Sequence, residues 1–136
     1  MRYLGLDLGE KTLGISISNG IIANNYTTLR HDKEYDRLIN EVADICTKEH
    51  IGIIVLGFPK NMNNTIGERA LICLDFKDKL IEKTKLNVIM EDERLTSKVA
   101  NNFMIKEDIS RKKRKERVDG MAAVIILQSY LDRKVI

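Results

Sequence analysis

The sequence predicts an α/β fold: a mixed five-stranded sheet flanked by helices, in the order β-β-β-α-β-α-β-α-α. Three observations carry that expectation. The N-terminal third alternates with the two-residue period of strands, the middle switches between helical periods and β-branched runs, and the last apolar segment is helical in pattern. With 136 residues, 43% hydrophobic and 32% charged, the chain is expected to form one domain, residues 1–136, with a substantial core.

Tyr3 to Leu8 is a short apolar run, and Leu13 to Ser18 alternates with period two. Asn19-Gly20 predicts a two-residue hairpin turn, because both central positions of that turn favour positive φ. Ile21 to Thr28 then supplies a third strand and completes an antiparallel meander. From Asp32, a predicted N-cap, the residues Tyr35, Leu38, Ile39, Val42, Ala43 and Cys46 recur at helical spacing. Ile51 to Leu56 is β-branched and reads as a strand buried on both faces. After a loop, Thr65-Ile66-Gly67-Glu68 has capping-box spacing and predicts a helix running past Leu80.

Asn87 to Met90 predicts the fifth strand, which runs into Glu91, Asp92 and Glu93. Thr96 is expected to cap a helix carrying Val99, Phe103 and Met104, and Ile105 to Glu116 reads as a polar connector. Val118 to Leu131, apolar over much of its circumference, should be a buried helix. In such a fold the first strand is antiparallel to its hairpin partner and parallel to the two later strands. Asp7, the loop after Gly57 and the acidic cluster would then share one edge of the sheet, where sites in α/β folds form.

The net charge of +3 says little about partners, but Arg111 to Arg117 holds six basic residues in seven. Nothing approaches the roughly 18 apolar residues of a spanning helix, and charged Arg2 and Asp7 interrupt any secretory signal. A cytoplasmic protein without membrane contact is therefore expected, with Cys46 and Cys73 as buried thiols.

Each acid has a structural explanation when taken alone. Asp7 could stabilise the turn that follows it, and Asp119 could complement the dipole of the last helix. The run Glu91-Asp92-Glu93 is harder to explain without a neutralising cation, although Arg94 could neutralise one acid and an exposed polar loop could tolerate the rest. Strand alternation puts Glu91 and Glu93 on one side and Asp92 on the other, without fixing which side faces a site. Gly120, Ala122 and Ala123 are small, so the helix bearing Asp119 can approach the sheet closely. Acids converging there favour Mg2+ or Mn2+, which take hard oxygen ligands and serve phosphodiester hydrolysis. Zinc is disfavoured, because His31 and His50 stand alone and read as surface or loop residues.

Four ordered motifs resemble the YqgF/RuvX family. They are Gly5-Leu6-Asp7-Leu8-Gly9 through Ser16, Gly57-Phe58-Pro59-Lys60-Asn61-Met62-Asn63, Asp92-Glu93-Arg94-Leu95-Thr96-Ser97, and Val118-Asp119 with Ala122 to Tyr130. The resemblance spans nearly the whole chain. It implies an RNase H-like fold and a site of Asp7, Glu93 and Asp119 that is both catalytic and metal-binding, so it selects Glu93 over Asp92. It also implies a bacterial, cytoplasmic nuclease that matures the 5′ end of pre-16S rRNA on a pre-ribosomal particle, with Holliday-junction cleavage as the alternative. Two positions depart from the family pattern: Glu91 stands where His is frequent, and Asn64 where Gly is commoner.

The basic run leads directly into Asp119. It can be a solvated connector, but its position favours phosphate binding by Arg111, Lys112, Lys113, Arg114 and Lys115, with salt-dependent affinity. Lys60 and Asn61 from the middle loop, Lys11 from the first turn and Arg94 beside the acids are further candidates for nucleic-acid contact. Phosphate contacts do not separate precursor rRNA from branched DNA. A non-catalytic nucleic-acid-binding module is the alternative from another class. An actin-like ATPase, suggested by Asp7-Leu8-Gly9, fails on size.

Overall fold

In the computed structural model the chain forms β1 (Arg2–Leu8), β2 (Thr12–Ser18), β3 (Ala23–Arg30), α1 (Tyr35–Lys48), β4 (Ile51–Phe58), α2 (Glu68–Thr84), β5 (Asn87–Asp92) and α3 (Arg111–Val135). The structure describes residues 1–58, 67–92 and 111–135, and within the last segment the side chains of residues 121–134. The sheet order is β3-β2-β1-β4-β5. β1 pairs antiparallel with β2 and β2 with β3, whereas β1–β4 and β4–β5 are parallel. The meander and the parallel second half thus form as expected, with β1 at the centre.

Alternation along β1 divides the molecule into layers. Leu4, Leu6 and Leu8 join a core with Leu38, Val42, Phe76 and Leu80 of α1 and α2. Tyr3, on the other face, joins Val55 of β4 and Ile126, Leu127 and Leu131 of α3. Cys46 and Cys73 are buried, and neither is in a disulfide. Burial raises the Cys46 thiol pKa to about 11. Among the described residues no helix is long and apolar enough to cross a membrane.

Several local expectations are corrected. β2 and β3 are joined by four residues, 19 to 22, and among them only Gly20 takes positive φ, so the two-residue hairpin turn does not form. Gln128 of α3 explains why. It accepts from the Ala23 N–H (2.8 Å) and donates to the Ile21 carbonyl (2.9 Å), which draws those backbone groups from the hairpin to the helix. Helix α1 starts after Glu34 rather than Asp32, because the Glu34 carboxylate takes the Asp32 N–H and binds Arg37. Helix α2 is capped by extended Gly67, which places Glu68 at the first helical position and not at the third, as a capping box needs. Thr65 and the helix expected from Thr96 lie outside the described residues. Residues 111 to 116, read as connector, are the first turns of α3, in keeping with the helix propensity of Lys, Arg and Glu.

Candidate active site

Asp7 is the penultimate residue of the central strand, half-buried and opposite Gly14 of β2. Beyond it the chain turns tightly: the Gly9 N–H donates to the Thr12 carbonyl at 2.8 Å. His31, expected at the surface or in a loop, lies in the β3–α1 connection but is only 7% exposed, and it braces this turn. Its Nδ1 accepts from the Lys33 N–H (3.1 Å), so its Nε2 carries the proton and donates to the Gly9 carbonyl (3.0 Å). The cause is tertiary, since the β3–α1 connection folds back over the β1–β2 turn. Lys11 has an exposed side chain, and its carbonyl accepts from the His31 N–H at 3.0 Å.

On the face of β1 that carries Asp7, helix α3 comes unusually close at Gly5. A Cβ at Gly5 would lie 2.3 Å from Ser16 Oγ, 2.7 Å from Leu127 Cβ and 3.0 Å from the Ala123 carbonyl oxygen. Gly5 and Ser16 are cross-strand partners, and the fully buried Ser16 hydroxyl donates to that carbonyl at 2.7 Å. The absent side chain lets the helix in, and the hydroxyl fixes its height. Further down β1, Tyr3 meets Tyr130 at 6.1 Å between ring centroids and bonds Lys134. Helix α3 therefore runs antiparallel to β1.

This arrangement sets the direction in which Asp119 lies. It precedes Ala123 by four residues, about 6 Å along a helix. Asp7 lies two residues beyond Gly5, about 6.8 Å along a strand. Both steps run toward the same end of the sheet, so α3 carries its backbone from the Gly5 contact toward the Asp7 end of β1. The small residues of α3 signalled this approach in the sequence, whereas Gly5 and Ser16 gave no comparable signal.

At the second strand end, Glu91 is buried at 3% exposure and opposite Gly57 of β4. Burial pushes its pKa up; Arg133 of α3 opposes this with a 2.5 Å ion pair, and Asp92 adds to it. Glu91 faces α3, on the face where β1 carries Asp7, while Val88 and Met90 join the opposite core. The extra charge at position 91 is therefore neutralised from within the fold. Glu93, Arg94, Lys60 and Asn61 lie outside the described residues. Arg111, Lys112, Lys113, Arg114 and Lys115 lie on the first turns of α3, which leads their backbone straight to Asp119.

Carboxylate oxygens suit a hard divalent cation, and Asp7 at a half-buried strand end fits one. Among the described residues no three His, Cys, Asp or Glu side chains form a metal-sized group. Arg69 of α2, which the sequence did not single out, donates to the Leu8 carbonyl at 3.2 Å, next to Asp7.

The chain matches the family described as RuvX, Holliday junction resolvase, over residues 1–133. A Staphylococcus aureus protein named as a pre-16S rRNA nuclease is 45% identical over 96% of this chain and 95% of its own length. In fold, the chain is similar to Thermus thermophilus RuvC in complex with a Holliday junction substrate. The TM-score there is 0.69 at 12% identity, over 99% of this chain and 96% of that one. A weaker likeness, to the Thermus thermophilus ROK hexokinase (TM-score 0.52, 20% identity), covers 74% of this chain and 38% of the other and shows shared fold alone. The mixed five-stranded sheet is thus an RNase H-like one, as in RuvC. Sequence and architecture agree along essentially the whole chain, and the protein belongs to the RuvX family of phosphodiester-hydrolysing nucleases.

Proposed function

We propose that this protein is a divalent-metal-dependent endonuclease, a single nuclease domain over residues 1–136, that processes the 5′ end of pre-16S rRNA in the cytoplasm. The observation that carries the reading is the seating of α3 on Gly5 and Ser16, which supports an Asp119 that lies toward the Asp7 end of the sheet. The RNA substrate is supported by the name of the 45% identical relative.

In this reading Asp7, Glu93 and Asp119 hold Mg2+ or Mn2+. Alternation supports Glu93 over Asp92, because a strand continued past Asp92 would return to the face of Glu91 and Asp7. Bound metal would lower the pKa of the attacking water and offset charge on the leaving oxygen. The residues of the chain do the positioning. Arg111 to Lys115 bring phosphates to the start of α3, and Lys11, Lys60, Asn61 and Arg94 add backbone contacts. Arg133 keeps the charge of Glu91 from adding to that of the three acids.

A pre-16S fragment with its natural 5′ extension, incubated with Mg2+ or Mn2+, tests the proposal. Wild-type protein should cut it, and Asp7→Asn and Asp119→Asn should lose at least a hundredfold in rate while remaining folded. Undiminished cleavage by both variants would overturn it. The family description favours a second substrate, the four-way DNA junction. Faster cleavage of junction DNA than of precursor RNA by one preparation would establish that substrate instead. Binding without cleavage of either, insensitive to metal, would mark a non-catalytic module.

A further inference from the structure

At the same strand end as Asp7, but on the opposite face of the sheet, lies a cavity of about 200 Å3. Leu8, Ile72 and Cys73 give it an apolar lining, and Tyr35 adds an aromatic wall. That wall is braced: the Tyr35 ring packs against His31 at 5.7 Å and edge-on against Phe76 at 6.3 Å. Arg69 is anchored by its bond to the Leu8 carbonyl, and His31 holds Gly9. The cavity is thus a built feature, formed where the first turn meets the starts of α1 and α2.

Its size restricts the occupant. About 30 Å3 per water makes it several waters large, yet it falls below the ~300–1,000 Å3 of sites that engulf whole ligands. One planar ring system fits; a whole nucleotide does not. Its charge restricts the occupant further. Glu10 and Glu68 balance Lys33 and Arg69 around it, so a bare phosphate would meet as much repulsion as attraction. A base that donates from one edge and accepts on another satisfies both signs. Every base does so, but guanine alone sets two adjacent donors, N1–H and its amino group, toward a carboxylate and two adjacent acceptors, O6 and N7, toward a guanidinium. A guanidinium has five N–H donors, more than the bond to Leu8 uses.

We propose that this cavity seats a guanine base splayed from a single-stranded stretch of the substrate beside the scissile phosphate. The placement rests on the nuclease reading of Asp7, since Leu8 and Gly9 of the lining directly follow that residue. Splayed bases held against aromatic rings are the usual way single-stranded RNA is read. The acids at the rim, which would oppose phosphate binding, here supply selectivity for the base.

Titrating the 15N-labelled full chain with GMP, AMP, UMP or ribose 5-phosphate, without metal, tests the proposal. GMP should shift the amides of Gly9, Glu10, Ile72 and Cys73 and bind at least fivefold more tightly than AMP or UMP. Ile72→Trp, which adds bulk to the lining, should abolish those shifts. Glu10→Gln combined with Glu68→Gln should erase the preference for GMP while leaving the rest of the spectrum native. Equal shifts from ribose 5-phosphate would overturn the proposal in favour of a phosphate site. Equal affinity for the three bases, or no shift at these amides, would overturn it outright. Asp7→Asn should bind GMP as wild type does, so the titration stays readable even where the cleavage assay fails.

Discussion

Strand β1 presents Leu4, Leu6 and Leu8 to one face of the sheet and Tyr3, Gly5 and Asp7 to the other. The first set disappears into a broad aliphatic core beneath α1 and α2. The second meets α3 through a missing side chain, a buried hydroxyl and an aromatic ring bonded to Lys134. The α3 face also holds the Glu91–Arg133 pair and the Gln128 contacts with the β2–β3 connection. Apolar packing is non-directional and supplies most of the stability, whereas hydrogen bonds and ion pairs have fixed geometry. Both faces have apolar centres, but the α3 face adds directional contacts, and these set where α3 sits on the sheet.

Substitutions can break that contrast, beginning with the largest effect. Leu80→Ala, on the aliphatic face and fully buried, should cost about 2–5 kcal/mol in urea unfolding. Cleavage per folded molecule should stay within twofold of wild type. Gly5→Ala should cost less stability, about 1–3 kcal/mol by overpacking, yet reduce the cleavage rate at least tenfold because α3 must shift. Adding Ser16→Ala removes one of the three crowded contacts and should restore part of both losses. A Gly5→Ala enzyme as active as wild type would remove the distinction between the faces.

Arg133→Met should cost about 1–2 kcal/mol, since it strands the buried Glu91 carboxylate. Most of that cost should vanish when Glu91→Gln is added, a coupling that a double-mutant cycle measures directly. The effect of Cys46 appears only in alkaline solution. Unfolded, its thiol ionises near 9.0, and burial raises the folded value to about 11. Stability from this group is complete below pH 9 and lost as pH rises through 11, because the unfolded chain sheds the proton first. The urea midpoint of wild type should therefore fall more between pH 8.5 and 10.5 than that of Cys46→Ala. Parallel falls would show that the thiol does not contribute.

Much of this architecture is legible in residue order. The periodicity of β1, β2, α1 and β4 locates these elements, because a residue's neighbours along a strand or helix decide which face is apolar. The placement of Asp7 and Glu91 at strand ends follows from the same reading. The hairpin departs from its local signal because it depends on α3 in its final position, whereas the start of α3 follows the helix propensity of its Lys, Arg and Glu residues. Asn19-Gly20 is a sound local signal that Gln128, more than a hundred residues away, overrides. His31 carries no local mark of burial, and its two ring nitrogens find partners only once the β3–α1 connection lies over the first turn.

By itself the sequence determined the order of the described elements, the apolar faces, Asp7 and Glu91 at strand ends and, through four ordered motifs, the nuclease family. Those features are encoded by spacing and by residue types close together in the chain. Only the tertiary structure decided that Glu91 is tied to Arg133, that Asp7 shares the α3 face, and that Gly5 and Ser16 seat α3 against β1. These depend on how one helix settles across five strands, a matter of shape complementarity between distant segments that no local period records.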